Sequence, residues 1–140
     1  MKKNILLLIT VLGFTQGLYA QNQSLTVSIK NISSDKGTLR VGIFNSQTDF
    51  LKKQLYGQII KSKSGDMKVV FENIPVGAYA ISIIHDENEN GELDSNLFGI
   101  PNEGFGFSND AMGTFGPPSF EKASFNLKEN STMTVNLKYM

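Results

Sequence analysis

Apolar side chains return at every second position along most of this chain, a period that extended strands bury and helices do not. Leu25, Val27 and Ile29 alternate with Thr26, Ser28 and Lys30, and Leu39, Val41 and Ile43 with Arg40, Gly42 and Phe44. The pattern recurs at Met67, Val69 and Phe71, and again at Met133, Val135, Leu137 and Tyr139. Such strands place one face in a core and the other in water. Tyr79, Ile81 and Ile83 are followed by Ile84 and His85, so this strand is expected to be buried on one face and partly on the other.

Two further strands are predicted at residues 55–61 and 119–127, which makes about seven. Turn signals separate them: Asp35-Lys36-Gly37, Ser64-Gly65-Asp66, Pro75-Val76-Gly77 and Glu129-Asn130. The expectation is an all-β fold, an antiparallel two-sheet sandwich of immunoglobulin-like or prealbumin-like type. One short helical turn is predicted at residues 46–53, where Ser46 can cap and Asp49 completes a capping-box-like pair. No internal repeat or linker divides residues 21–140, which are read as a single domain.

Residues 1–20 are read as a signal peptide: Lys2 and Lys3 form a basic start, and an apolar run follows over residues 5–12. Cleavage is expected after Ala20, giving an exported, soluble protein without a membrane span, periplasmic or extracellular. The chain has no cysteine, which excludes a disulfide framework and lipid attachment through a cysteine. Removing Lys2 and Lys3 from its 13 basic residues leaves 11 against 13 acidic ones, a net charge of −2. That balance argues against nucleic acid as a partner, which calls for a basic patch or stripe.

The acidic side chains are concentrated. Asp86, Glu87, Glu89, Glu92 and Asp94 put five negative charges into residues 86–94. Oxygen donors fall at relative positions 1, 3, 5, 7 and 9 of this stretch: the side chains of Asp86, Asn88 and Asn90, the backbone carbonyl of Glu92, and the carboxylate of Asp94. Glycine at position 6, Gly91, permits the sharp turn. A hard cation such as Ca²⁺ takes six to eight oxygen ligands, and this spacing wraps one short loop around it. Leu97 stands where the helix-loop-helix pattern has a bidentate glutamate, so the shell would need Glu103, Asp110 or backbone carbonyls to complete it. Without a cation, the same stretch reads as an acidic hairpin turn at Asn90-Gly91.

Residues 95–118 hold five of the thirteen glycines and three of the four prolines, together with Phe98, Phe105, Phe107 and Phe115. An ordered flap is expected here, because disordered segments are poor in aromatics, with Gly104-Phe105-Gly106-Phe107 bending tightly. The four phenylalanines either plug one end of the core or form a ligand-binding surface beside the cation. Exposed rings would favour binding, and buried rings a scaffold. Phenylalanine lacks the polar handle of tryptophan, which is absent, so sugar stacking is the weaker use of these rings.

His85 is the only histidine and neighbours Asp86, but adjacent strand residues point to opposite faces. The sequence has no Gly-x-Ser-x-Gly elbow, no cysteine nucleophile and no clustered histidine ligands. Catalysis is therefore not expected.

The run Ile74-Pro75-Val76-Gly77-Ala78-Tyr79-Ala80-Ile81, leading into His85 and the acidic loop, resembles an uncharacterised family of small secreted bacterial proteins that carries a domain-of-unknown-function label. Residues 98–109 and Gly116-Pro117-Pro118-Ser119-Phe120 are similar to it as well. The resemblance implies no activity. More loosely, residues 71–79 resemble a strand-turn-strand unit of prealbumin-like sandwich modules, which supports the fold rather than a function. The favoured reading is an exported, non-enzymatic module with a calcium loop and an aromatic flap, binding an envelope protein, a polysaccharide or a small apolar ligand. The alternatives are a purely structural, calcium-stabilised envelope protein and, last, a hydrolase using His85.

Overall fold

The computed structural model describes residues 21–140, so the signal peptide expected over residues 1–20 lies outside the described residues. The chain forms β1 (Asn22–Ile32), β2 (Thr38–Phe44), β3 (Tyr56–Lys61), β4 (Gly65–Pro75) and β5 (Gly77–Asp86). There follow β6 (Gly104–Phe107), a 3-10 turn (Ser108–Asp110), α1 (Phe120–Ala123), β7 (Phe125–Leu127) and β8 (Ser131–Asn136). Two sheets result, as the alternation requires. The first has the order β4-β1-β8 and the second β3-β2-β5-β6, with β7 pairing the first residues of β5.

The core lies between them. Leu25, Val27 and Ile29 of β1 face Leu39, Val41 and Ile43 of β2 and Ile81 and Ile83 of β5, all at most 2 % exposed. Burying side chains of this size stabilises by about 1.5–3 kcal/mol each relative to exposure, and this layer holds the two sheets together.

Four expectations need correction. Not every pairing is antiparallel: β1 and β8 run parallel, from Leu25 beside Ser131 to Lys30 beside Asn136. β8 is reached from β7 in the other sheet, so no hairpin dictates its direction. Residues 46–53 form turns, not a helix. Ser46 Oγ does accept the Asp49 N–H at 3.2 Å, and the Phe50 N–H reaches the Ser46 carbonyl at 3.0 Å. Leu51, however, takes φ 60°, which a right-handed helix does not allow.

The strand expected at residues 119–127 is real only at its end. Ser119 caps α1 instead, its Oγ accepting the Lys122 N–H at 3.3 Å. Phe120 and Ala123, three apart, turn inward onto Phe44 and Phe50, and that helical spacing overrides the strand pattern. Finally, Gly104-Phe105-Gly106-Phe107 does not bend: it is β6, paired to β5 from Ser82–Phe107 to His85–Gly104. Its glycines are a matter of space. A Cβ on Gly104 would run into the Tyr139 ring, and one on Gly106 into Val135 and Leu137.

Candidate functional site

The acidic loop grows directly out of β5, whose last two residues diverge as alternation demands. His85 points into the molecule, fully buried, its Nδ1 2.7 Å from Tyr139 Oη and its Nε2 2.8 Å from the Lys36 carbonyl. A carbonyl only accepts, so Nε2 carries a proton and donates it to Lys36. Tyr139 Oη also accepts the Ser33 N–H at 3.1 Å. Both ring nitrogens are thus committed to holding the chain end and the β1–β2 turn.

Asp86 points the other way and is equally buried. Its Oδ1 accepts the Asn90 N–H at 3.1 Å, and its Oδ2 accepts the Gly91 N–H at 2.8 Å. The Arg40 guanidinium stands 3.5 Å from Oδ2. Asn88 Oδ1 also accepts the Asn90 N–H, at 3.1 Å, and Asn90 Oδ1 accepts the Glu92 N–H at 3.0 Å. Each short polar side chain therefore bonds the backbone two to five residues on, which coils the loop tightly. Gly91 takes φ +86°, as its place in the turn requires.

Asp94 closes the ring of oxygens. It receives Asn88 Nδ2 at 2.5 Å and Asn90 Nδ2 at 2.9 and 3.0 Å. Asn88, Asn90 and Asp94 converge on one point, while Glu92 is exposed and joins through its backbone. Glu87 lies apart, accepting from Ser34 Oγ at 2.7 Å.

The two carboxylates expected to complete a shell do other work. Glu103, 5 % exposed, accepts the Glu87 N–H at 2.9 Å with Oε1 and the Asp94 N–H at 3.1 Å with Oε2. It clamps the two ends of the loop together. Asp110 serves β8, accepting Asn136 N and Nδ2 at 3.1 and 2.8 Å. The sequence marks Glu103 as acidic and near; its role as a clamp follows only from the return of the chain into β6.

These donors fit a calcium-type ion in kind and spacing. Among the described residues no three His, Cys, Asp or Glu side chains group to hold a metal, so a cation here would rely on amide and backbone oxygens beside Asp86 and Asp94. The amide oxygens of Asn88 and Asn90 already accept the Asn90 and Glu92 N–H groups and their nitrogens face Asp94, so a cation here would have to displace those hydrogen bonds. Thr38, directly across from Asp86 on the sheet, carries the one buried side-chain oxygen without a hydrogen-bond partner among the described residues.

Beyond the loop, the outer face of the second sheet is covered around Phe44, Ala80 and Phe107 by Phe50 and Ala123, and is open beside that cluster. Its cross-strand rows are Ile59, Arg40, Ile84 and Phe105, then Gly57, Gly42, Ser82 and Phe107. The second row has no large side chain of its own until Phe107; the Gln54 amide lies over Gly57, and the open part of the trough runs over Gly42 and Ser82. The flap roofs it only partly. The result is a cleft of about 860 Å³, walled by Leu93, Phe98, Ile100 and Pro101 on one side and by Met112 and Phe115 on the other. A smaller hollow of about 290 Å³ lies beside Val76 and Lys128, at the far end of β5.

The four flap phenylalanines divide between these surroundings. Phe105 and Phe107 are 6 % exposed; Phe107 packs against Phe50, which meets Phe44 edge-on at 5.4 Å between ring centroids. Phe98 and Phe115 stand on the rim, 88 % and 102 % exposed. Asn96 holds the Phe98 tip, its Oδ1 accepting the Phe98 and Ile100 N–H groups at 2.8 and 3.1 Å. Ser108 anchors its middle, accepting the Ile81 N–H at 2.8 Å and donating to the Ala123 carbonyl.

The family profile described as an uncharacterized protein conserved in bacteria, DUF2141, matches residues 27–136, from β1 to the last residue of β8. The chain belongs to that family. The match takes in the acidic loop, Glu103 and the whole flap, so loop and cleft are parts of the DUF2141 domain. No curated protein and no solved structure matches the chain. No helix among the described residues is long and apolar enough to cross a membrane.

Proposed function

We propose that the protein is an exported, non-enzymatic binding module whose outer-face cleft takes a small apolar ligand, with calcium steadying the loop at its rim. The observation that supports binding most is the 860 Å³ cleft on a sheet face that a plain sandwich would leave flat. Ligand pockets span roughly 300–1,000 Å³, are mostly apolar and carry few polar groups. This one has phenylalanine, isoleucine, leucine and methionine walls around Ser82, Gln54 and Arg40. Such a lining suits an apolar molecule better than a polysaccharide, while an envelope protein would have to dock on the exposed rim of Phe98 and Phe115.

Calcium is supported by the convergence of Asn88, Asn90 and Asp94 and by the unpartnered oxygen of Thr38 beside Asp86. Only two carboxylates take part, so the affinity should be that of extracellular modules, with a dissociation constant of about 10⁻⁴ to 10⁻³ M. Export rests on the leader composition of residues 1–20. Intact mass of protein from its native host should place the mature start at Gln21 or Asn22; a chain beginning at Met1 in the cytoplasm would refute export.

The cleft is tested with N-phenyl-1-naphthylamine, a neutral apolar fluorophore. Saturable enhancement at one site per chain is expected, and Ser82→Trp, which fills the trough, should remove it without lowering the melting temperature. Absence of binding to the folded wild type would overturn the reading.

A further inference from the structure

We infer that the ligand of the cleft is an apolar molecule with a single carboxylate head, held by Arg40; the inference rests on the binding reading above. Among the side chains lining the cleft only those of Arg40 and Lys52 are charged, and both are basic. No aspartate or glutamate faces it, although the loop next to it is the most acidic stretch of the chain.

Arg40 sits between the two. Its guanidinium lies 3.5 Å from Asp86 Oδ2, too long for a well-formed charged hydrogen bond, which runs at about 2.7–2.9 Å. Its side chain stays 35 % exposed, and it stands in the row with Ile84 and Phe105 at the edge of the trough. A guanidinium has five N–H donors in a planar fork, so one shared loosely with Asp86 keeps enough for a second carboxylate.

The lining selects an anionic head: its two charged side chains are basic, and one of them, Arg40, already faces Asp86. A carboxylate brings one negative charge beside that aspartate, whereas a phosphate monoester brings close to two. The floor over Gly42 and Ser82 leads away from Arg40 towards Phe44 and Phe107, which gives an alkyl or aryl body an apolar bed. A fatty-acid-like molecule has this form.

Calorimetric titration of the protein in chelator, with dodecanoate, dodecanol and dodecyl phosphate below their micellar range, separates the outcomes. Dodecanoate should bind about ten- to hundredfold more tightly than dodecanol, the ratio that hydrogen bonds to a charged group supply. Arg40→Gln should bring dodecanoate to within a few-fold of dodecanol. Lys52→Gln, at an exposed site that does not hold the fold, should reduce the ratio only a few-fold, and it keeps the test readable if Arg40→Gln folds poorly. Decanoate should bind about tenfold more weakly than dodecanoate, at two buried methylenes fewer.

Equal binding of acid and alcohol would overturn the head-group inference and leave the apolar cleft standing. Tighter binding of dodecyl phosphate than of dodecanoate would overturn the choice of a monoanion. Failure of all three to bind folded wild type would overturn this inference together with the binding reading.

Discussion

On the inner face of the second sheet Leu39, Val41, Ile43, Ile81 and Ile83 are at most 2 % exposed, while their strand neighbours Arg40, Ser82 and Ile84 on the outer face remain half open. The backbone is common to both faces, so the difference lies in what covers each one. The inner face meets a whole second sheet. The outer face meets a flap fixed at Asn96 and Ser108 that spans it without filling it. His85 and Asp86 carry the same contrast to the strand end: the histidine is used up by Tyr139 and Lys36, and the aspartate opens the loop. On the binding reading, stability and ligand contact fall to alternate residues around the cleft, while Phe44 and Ala80 of the outer face join a buried cluster of their own.

That division can be broken by substituting neighbours. Ile83→Ala leaves a void in the inner layer and should destabilise by about 2–5 kcal/mol. At this domain size the melting temperature should fall by roughly 10 °C. Ile84→Ala removes a partly exposed side chain and should cost under about 1 kcal/mol, while altering affinity in the cleft. Thermal melts of the two variants compare the faces directly; equal losses would contradict the division.

Glu103→Ala sharpens the contrast at the loop. It strands the N–H groups of Glu87 and Asp94, and an unpaired buried donor costs about 1–3 kcal/mol. The loss should appear in denaturant melts together with faster amide exchange across residues 86–102. Glu103→Gln, which keeps one acceptor, should lose about half as much.

Calcium comes next in size. Ten times its dissociation constant stabilises by about 1.4 kcal/mol, so millimolar Ca²⁺ should raise the melting temperature by a few degrees. Asp86→Ala and Asp94→Ala should each remove most of that response. Glu87→Ala should not, because its carboxylate is turned to Ser34. Identical melting in chelator and in millimolar calcium would reduce the loop to an acidic turn.

The smallest effect is expected from pH. Hydrogen bonds from Ser64 hold Asp35 below its ordinary carboxylate value, and the Lys30 hydrogen bond does the same for Asp66. A depressed folded value means that these groups add stability above the unfolded carboxylate range and lose it as pH falls through the folded value. Both are fully exposed, so the slope should be shallow. Asp66→Asn should flatten it further in melts taken on acidification.

The two-sheet architecture was legible because a period of two leaves little choice once the turn residues are in place. The loop was legible too, since Asp86, Asn88, Asn90, Gly91 and Asp94 act over short range. What escaped depended on distant partners. Gly104-Phe105-Gly106-Phe107 is itself a period-two signal, but its glycines make sense only beside Val135, Leu137 and Tyr139. Glu103 reads as a spare ligand until β6 brings it back to both ends of the loop. The cleft lies beyond local pattern altogether, because Gly42 and Ser82 become one floor only through strand register.

The outer face as binding face is tested most directly by amide chemical-shift mapping of the labelled domain during titration with N-phenyl-1-naphthylamine. Saturable shifts should cluster at Gly42, Ser82, Ile84 and Phe107 and along the flap, with β1, β4 and β8 unmoved. Shifts confined to the hollow beside Val76 and Lys128, or spread evenly over both sheets, would contradict the assignment of binding to this face.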